Sequence, residues 1–143
     1  MLRKKILFVV LSLFLLSCIT QKNDFREVCF KNFCYHVEIV ETGQERAKGL
    51  MFREMLEANQ GMLFIFSEED FYPFWMKNTL IPLDIIWLDE EKKVVFISEG
   101  AEPCTREKCP LLAPLKKSLY VLELGAGEVR RIGLKEGESM IFK

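Results

Sequence analysis

Asp84 is a carboxylate in a place where the surrounding pattern is apolar. The segment Phe74-Trp75-Met76-Lys77-Asn78-Thr79-Leu80-Ile81-Pro82-Leu83-Asp84-Ile85-Ile86-Trp87-Leu88-Asp89 carries two apolar, aromatic stretches separated by Lys77, Asn78 and Thr79. Strand alternation puts Leu83, Ile85 and Trp87 on one face and Asp84, Ile86 and Leu88 on the other. A carboxylate among Ile86 and Leu88 needs hydrogen-bond donors or a cation. Lys77, Asn78 and Thr79 are close enough in the chain to supply them. The simpler reading is an internal staple that fixes the turn before a buried strand. The functional reading is a pocket floor with aromatic walls, open to a small polar ligand. Both predict that Asp84 accepts hydrogen bonds from the 77–79 turn.

Little else in the chain is suited to catalysis. His36 is the only histidine. It falls in a strand pattern, where a lone histidine is a structural residue more often than a base or ligand. No Ser–His–acid set and no Gly-rich phosphate loop are present; Gly125-Ala126-Gly127 reads as a turn. Two cysteine pairs share the C-x4-C spacing, Cys29/Cys34 and Cys104/Cys109. A two-residue Lys31-Asn32 turn would place Cys29 opposite Cys34 across a hairpin, at bonding distance. Pro103 and Pro110 bracket the second pair, as in an irregular loop held by a staple. The expectation is two local disulfides. A four-cysteine zinc site is the rival; its paired spacings are usually tighter, so no metal or cofactor is expected.

The elements that must carry these residues are short. Phe25–Phe30 and Phe33–Val40 read as hairpin arms. Thr42-Gly43-Gln44-Glu45 has the form of a capping box, and predicts a short helix with Ala47, Leu50 and Met51 on one face. Gly61–Phe66 and Leu83–Leu88 read as buried strands, with Glu68-Glu69-Asp70 as a solvated turn between them. Lys93–Ser98 pairs back on the second of these. Residues 100–117 read as a long loop, Ser118–Leu124 as a strand, Ala126–Ile132 as one or two helical turns, and Ser139–Phe142 as a last strand. This succession predicts a mainly β fold: a compact, twisted, partly closed antiparallel β-barrel with one or two short helices.

The N-terminus carries an address. Arg3, Lys4 and Lys5 precede an apolar run from Ile6 to Leu16, which ends in Leu15-Leu16-Ser17-Cys18. Eleven residues make about 16 Å of helix, too short to span a bilayer, so the run reads as the core of a signal peptide. A small residue before Cys resembles the lipobox of bacterial lipoproteins, which implies cleavage before Cys18 and lipidation of its thiol. The expected organisation is a signal peptide over 1–17, a lipidated tether over 18–24 and one domain over 25–143. The expected partner is a membrane, through lipid on Cys18. Ile19, not Asp, follows the cysteine, so nothing in the sequence specifically argues for retention at an inner membrane, and an outer membrane is the modestly favoured destination where the host has one. An extracytoplasmic location also favours paired cysteines. Residues 1–17 hold three of the 20 Lys and Arg and none of the 21 acids, so without them the net charge goes from −1 to −4. That balance excludes a nucleic-acid backbone binder. An apolar content of 50% excludes a disordered chain.

Five ordered motifs carry a resemblance: Gly49-Leu-Met-Phe-Arg53, Gly61-Met-Leu-Phe64, Phe74-Trp-Met-Lys-Asn-Thr79, Pro82-Leu-Asp-Ile85 and Tyr120-Val-Leu-Glu-Leu-Gly-Ala-Gly127. They resemble the domain-of-unknown-function family 192 over about residues 36–143, and the Pro103–Pro110 loop is similar to one that some members carry. The resemblance implies a compact β-rich barrel, often behind a secretion signal. It implies no chemistry, but it directs attention to Arg53, Trp75, Lys77, Asn78, Thr79 and Asp84 as a ligand-binding cluster. The function expected is a membrane-anchored envelope lipoprotein that acts as a non-enzymatic small-ligand-binding or accessory module. The alternatives are a small envelope hydrolase or transferase using Asp84 and Lys77, and a purely structural envelope protein.

Overall fold

The N-terminal hairpin forms as its spacing predicts. β1 (Phe25–Phe30) and β2 (Phe33–Val40) are antiparallel, with Phe30 opposite Phe33 and Cys29 opposite Cys34. Cys29 and Cys34 are bonded, with their Cα atoms 4.1 Å apart, as suits the closer of the two kinds of facing pair in an antiparallel ladder. The computed structural model describes residues 25–143. The signal peptide, Cys18 and the tether expected over 1–24 lie outside the described residues.

After β2, helix α1 (Gly43–Lys48) starts at the expected capping box. Thr42 Oγ1 accepts from the Glu45 N–H, and Glu45 Oε2 accepts from the Thr42 N–H. The helix buries none of its own residues, and Ala47 is exposed; Leu50, just past its end, is buried. Residues 41–59 form a crossover that returns the chain to β3 (Gln60–Asp70), which runs parallel to β2. A parallel pair needs such a long connection. The partly closed sheet is therefore mixed, where an antiparallel one was expected. β3 also extends through Glu68-Glu69-Asp70, which were expected in a turn; its register against the later strand shifts between Ile65 and Asp70.

A two-residue strand, β4 (Phe74–Trp75), precedes β5 (Leu83–Leu88), which is buried along its whole length. β6 (Val94–Ala101) pairs back on β5. β7 (Leu111–Leu112) pairs with β4 in a small separate sheet. β8 (Ser118–Gly125) lies between β5 and β3, helix α2 (Glu128–Ile132) follows it, and β9 (Ile141–Phe142) closes the chain against β1. The main sheet has the order β6-β5-β8-β3-β2-β1-β9 and curls into a half-barrel. The mainly β class and the two short helices match the expectation.

Each sheet face has its own apolar cluster. On one, Tyr35, Leu63, Ile86, Leu88, Leu122 and Leu124 pack under Val129, Ile132 and Leu134 of the α2 region. On the other, Met62, Phe64, Leu83, Ile85, Trp87 and Val121 pack under Leu50, Met76 and Cys104. Burial of this much apolar surface is the main force that holds the sheet. β3 and β8 approach closely at Gly61, where a Cβ would come within 2.7 Å of the Glu123 carbonyl oxygen. That contact requires glycine, and it fixes the position of Glu123.

Candidate functional site

Asp84 is completely buried, and its partners are not the ones expected. Its Oδ1 accepts from the Gly100 N–H at 2.8 Å and its Oδ2 from the Val129 N–H at 2.8 Å. It ties β6 and the first turn of α2 to β5, and so it is a staple. The expectation that it accepts from the 77–79 turn is corrected. That turn serves the other face of the sheet, whereas Asp84 lies beside Leu124 on the α2 face.

Lys77 is also placed elsewhere. Its Nζ donates to the Arg106 and Glu107 carbonyls at 2.7 and 3.1 Å. It holds the loop closed by the Cys104–Cys109 disulfide, whose Cα atoms are 6.0 Å apart. The backbone joins the same parts: the Asn78 N–H donates to the Cys104 carbonyl at 2.9 Å and the Cys104 N–H to the Met76 carbonyl at 3.1 Å. The pairing of Asp84 with Lys77 that the hydrolase alternative needs is not assembled.

The rest of the predicted cluster gathers around a residue that sequence reasoning passed over. Register across the sheet aligns Glu38, Met62, Glu123 and Ile85 on β2, β3, β8 and β5. Period-two alternation puts all four on one face. Arg53 reaches down to this row and grips Glu38 at two points, with Nη2 to Oε2 at 2.6 Å. The chain just before it is fixed by the Phe52 N–H, which donates to the Asn78 carbonyl at 2.8 Å. Arg53 and the 78–79 turn are thus brought together beside Glu123.

Glu123 is 5% exposed, and its Oε2 has no hydrogen-bond partner. Burial pushes its pKa up to about 8, and the positive charge of Arg53 offsets only part of that rise. A buried carboxyl without a partner is costly, and such groups concentrate where a protein binds or reacts.

The carboxyl borders a small pocket of about 30 Å³, lined also by Gly49, Phe64, Phe74, Trp75 and Thr79, with Arg46 and Lys48 among its other walls. Space of this size holds about one water-sized group. A larger groove of about 350 Å³ shares Arg46, Ala47, Phe74 and Trp75 with it and extends past Phe66 and Tyr72. The walls are well braced. Phe66 and Tyr72 stack with ring centroids 3.5 Å apart. Phe74 meets Phe64 and Trp87 edge-on at 4.9 and 5.7 Å. The Trp87 Nε1–H donates to the Tyr72 carbonyl at 2.8 Å. Arg46 lies over the Phe66 ring at 4.8 Å and donates to the Glu41 and Ile65 carbonyls. Trp75, from the predicted cluster, is the open wall, 49% exposed.

The comparisons agree with this fold and leave the chemistry open. The family DUF192, described as "Uncharacterized ACR", matches residues 27–142. A UPF0127 protein of Thermococcus gammatolerans is 28% identical over 108 residues, covering 72% of this chain and 63% of its own. A second, from Thermococcus kodakarensis, is 28% identical over 107 residues, covering 71% of this chain and 61% of its own. The chain thus spans less than two thirds of these curated relatives. A crystal structure from Sinorhizobium meliloti, described as that of a candidate transcription regulator, superposes with a TM-score of 0.77 at 30% identity, over 84% of this chain and 95% of the other. A protein of unknown function from Novosphingobium aromaticivorans gives 0.74 at 34% identity, over 82% of this chain and 83% of the other.

Proposed function

The chain belongs to the uncharacterised DUF192 family, and from that premise we propose that it is a lipid-anchored envelope protein that binds a small molecule in the groove between Trp75 and Glu123. The observation that carries the reading is the partnerless Oε2 of Glu123 beside an aromatic groove. A fold that needed only stability would fill that position with an apolar residue. The lipobox at Cys18 supports the anchor, and the two disulfides fit an oxidising compartment outside the cytoplasm. No described helix is long and apolar enough to cross a membrane. The binding role is favoured over an enzymatic one because Asp84 and Lys77 are engaged apart from each other. A transcription-regulator role, as the Sinorhizobium structure is described, is disfavoured for this chain. The two described helices have six and five residues, short for reading a DNA groove, and the chain is net acidic.

A thermal-shift screen of the purified protein against sugars, peptides and metabolites tests the proposal. The expected result is a stabilising ligand whose effect disappears in Trp75→Ala while the melting temperature of the free protein barely changes. Stabilisation that persists in Trp75→Ala would place binding elsewhere.

A further inference from the structure

The chemistry around Glu123 narrows the ligand class, given the reading that the groove is a binding site. Glu123 lines the small pocket and its Oε2 has no hydrogen-bond partner, so an occupant that brings a polar atom to the Glu123 carboxyl is favoured over an entirely apolar one. The space there admits a group of about the size of one hydroxyl or water.

Charge argues against an ion. A ligand cation would pass Arg46 and Lys48 among the pocket walls and then meet the charge of Arg53 beside Glu123. Burial also keeps the proton on Glu123 at neutral pH, which removes the negative charge a cation would seek. A ligand anion would need an uncommitted arginine. Arg53 is gripped by Glu38, and Arg46 and Lys48 stand at the pocket walls, so an anion that entered as far as Glu123 would set its charge beside a carboxyl with no free arginine to receive it. An uncharged group that both donates and accepts, such as a hydroxyl, matches a carboxyl group.

The groove sets the rest of the ligand. Phe66, Tyr72, Phe74 and Trp75 line it. Aromatic faces hold flat, C–H-rich surfaces by dispersion and burial. A pyranose ring offers such a face and carries hydroxyls around its edge. We propose that the groove binds a carbohydrate, with one sugar ring against Trp75 and one of its hydroxyls in the pocket on Glu123.

Tryptophan fluorescence of the full chain tests this, because Trp75 is half exposed and Trp87 is completely buried. The probes are mono- and disaccharides of glucose, galactose, mannose and N-acetylglucosamine, with benzylamine and benzoate as charged-ring controls. The expected result is a saturable response to at least one saccharide, absent in Trp75→Phe. The response should keep nearly full affinity in Glu123→Gln, which retains a neutral hydrogen-bonding group, and weaken by about tenfold or more in Glu123→Ala. Saturation by benzylamine or benzoate without any saccharide response would overturn the carbohydrate assignment and leave the groove a binding site. A saccharide response that is unchanged in Glu123→Ala would overturn the role of Glu123. No response to any probe would overturn the carbohydrate assignment, and if the broader thermal-shift screen were also negative, the binding-site reading would fall with it.

Discussion

Replacing Glu123 by Gln should stabilise the protein, and by an amount that depends on pH. The folded-state pKa of Glu123 is about 8, against 4.5 for the free side chain. Below pH 4.5 both the folded and unfolded chains hold the proton, and Glu123 contributes no pH-dependent penalty. Between 4.5 and 8 the unfolded chain releases the proton while the folded chain keeps it. Stability therefore falls as pH rises, by about 1.4 kcal/mol per unit. The loss reaches roughly 3 kcal/mol at pH 7 and levels off above pH 8, when both states are ionised. Gln has nearly the same shape and no titration. Any cost of housing its amide is independent of pH, and the other carboxylates are common to both proteins. Urea unfolding of wild type and Glu123→Gln across this range isolates the contribution of Glu123. The difference in unfolding free energy should grow with pH in favour of Gln, by roughly 3 kcal/mol between pH 4.5 and 7. Parallel pH profiles would refute the reasoning, because they would mean that the carboxyl ionises as easily when folded as when unfolded.

Asp84→Ala leaves the buried Gly100 and Val129 N–H groups without an acceptor and should cost about 3 kcal/mol in denaturant unfolding. Lys77→Ala acts on a different face and loop, so the double variant should show additive losses; strong non-additivity would contradict the separation. Reduction of Cys104–Cys109 should raise amide exchange at Cys104 and in β7 before the main sheet opens, because Lys77 and the Asn78 N–H fasten that loop; simultaneous exchange of β5 and β8 would contradict this. Fatty-acid labelling should mark the wild type and not Cys18→Ser, and equal labelling would remove the lipid anchor.

The fold was largely legible because its signals are local. The hairpin from 25 to 40 follows from alternation around a two-residue turn, and α1 from a capping box that forms in full. The parallel return from β2 to β3 was not legible. Strand direction depends on where a long connection packs, and Gly49, Phe52 and Asn59 there take positive φ values that no periodicity encodes. The site was half legible. Arg53, Trp75, Asn78 and Thr79 do gather on one face of the sheet, but Asp84 is on the other and Lys77 serves the disulfide loop. The missed residue was within reach. Glu123 interrupts Val121-Leu122-Glu123-Leu124 as Asp84 interrupts its own strand, and the same argument applied to both. What sequence could not tell is which carboxylate finds donors: Asp84 finds two backbone N–H groups, whereas Glu123 Oε2 finds none.

The most direct measurement follows the side-chain carboxyl carbon of Glu123 by NMR through a pH titration, with and without the saccharide that gives the strongest fluorescence response. The account predicts a free-state midpoint near 8. It also predicts that the saccharide displaces the Glu123 carboxyl and Trp75 indole N–H resonances together and leaves that of Trp87 in place. A midpoint near the ordinary value of 4.5, or a Trp75 response with Glu123 unmoved, would contradict it.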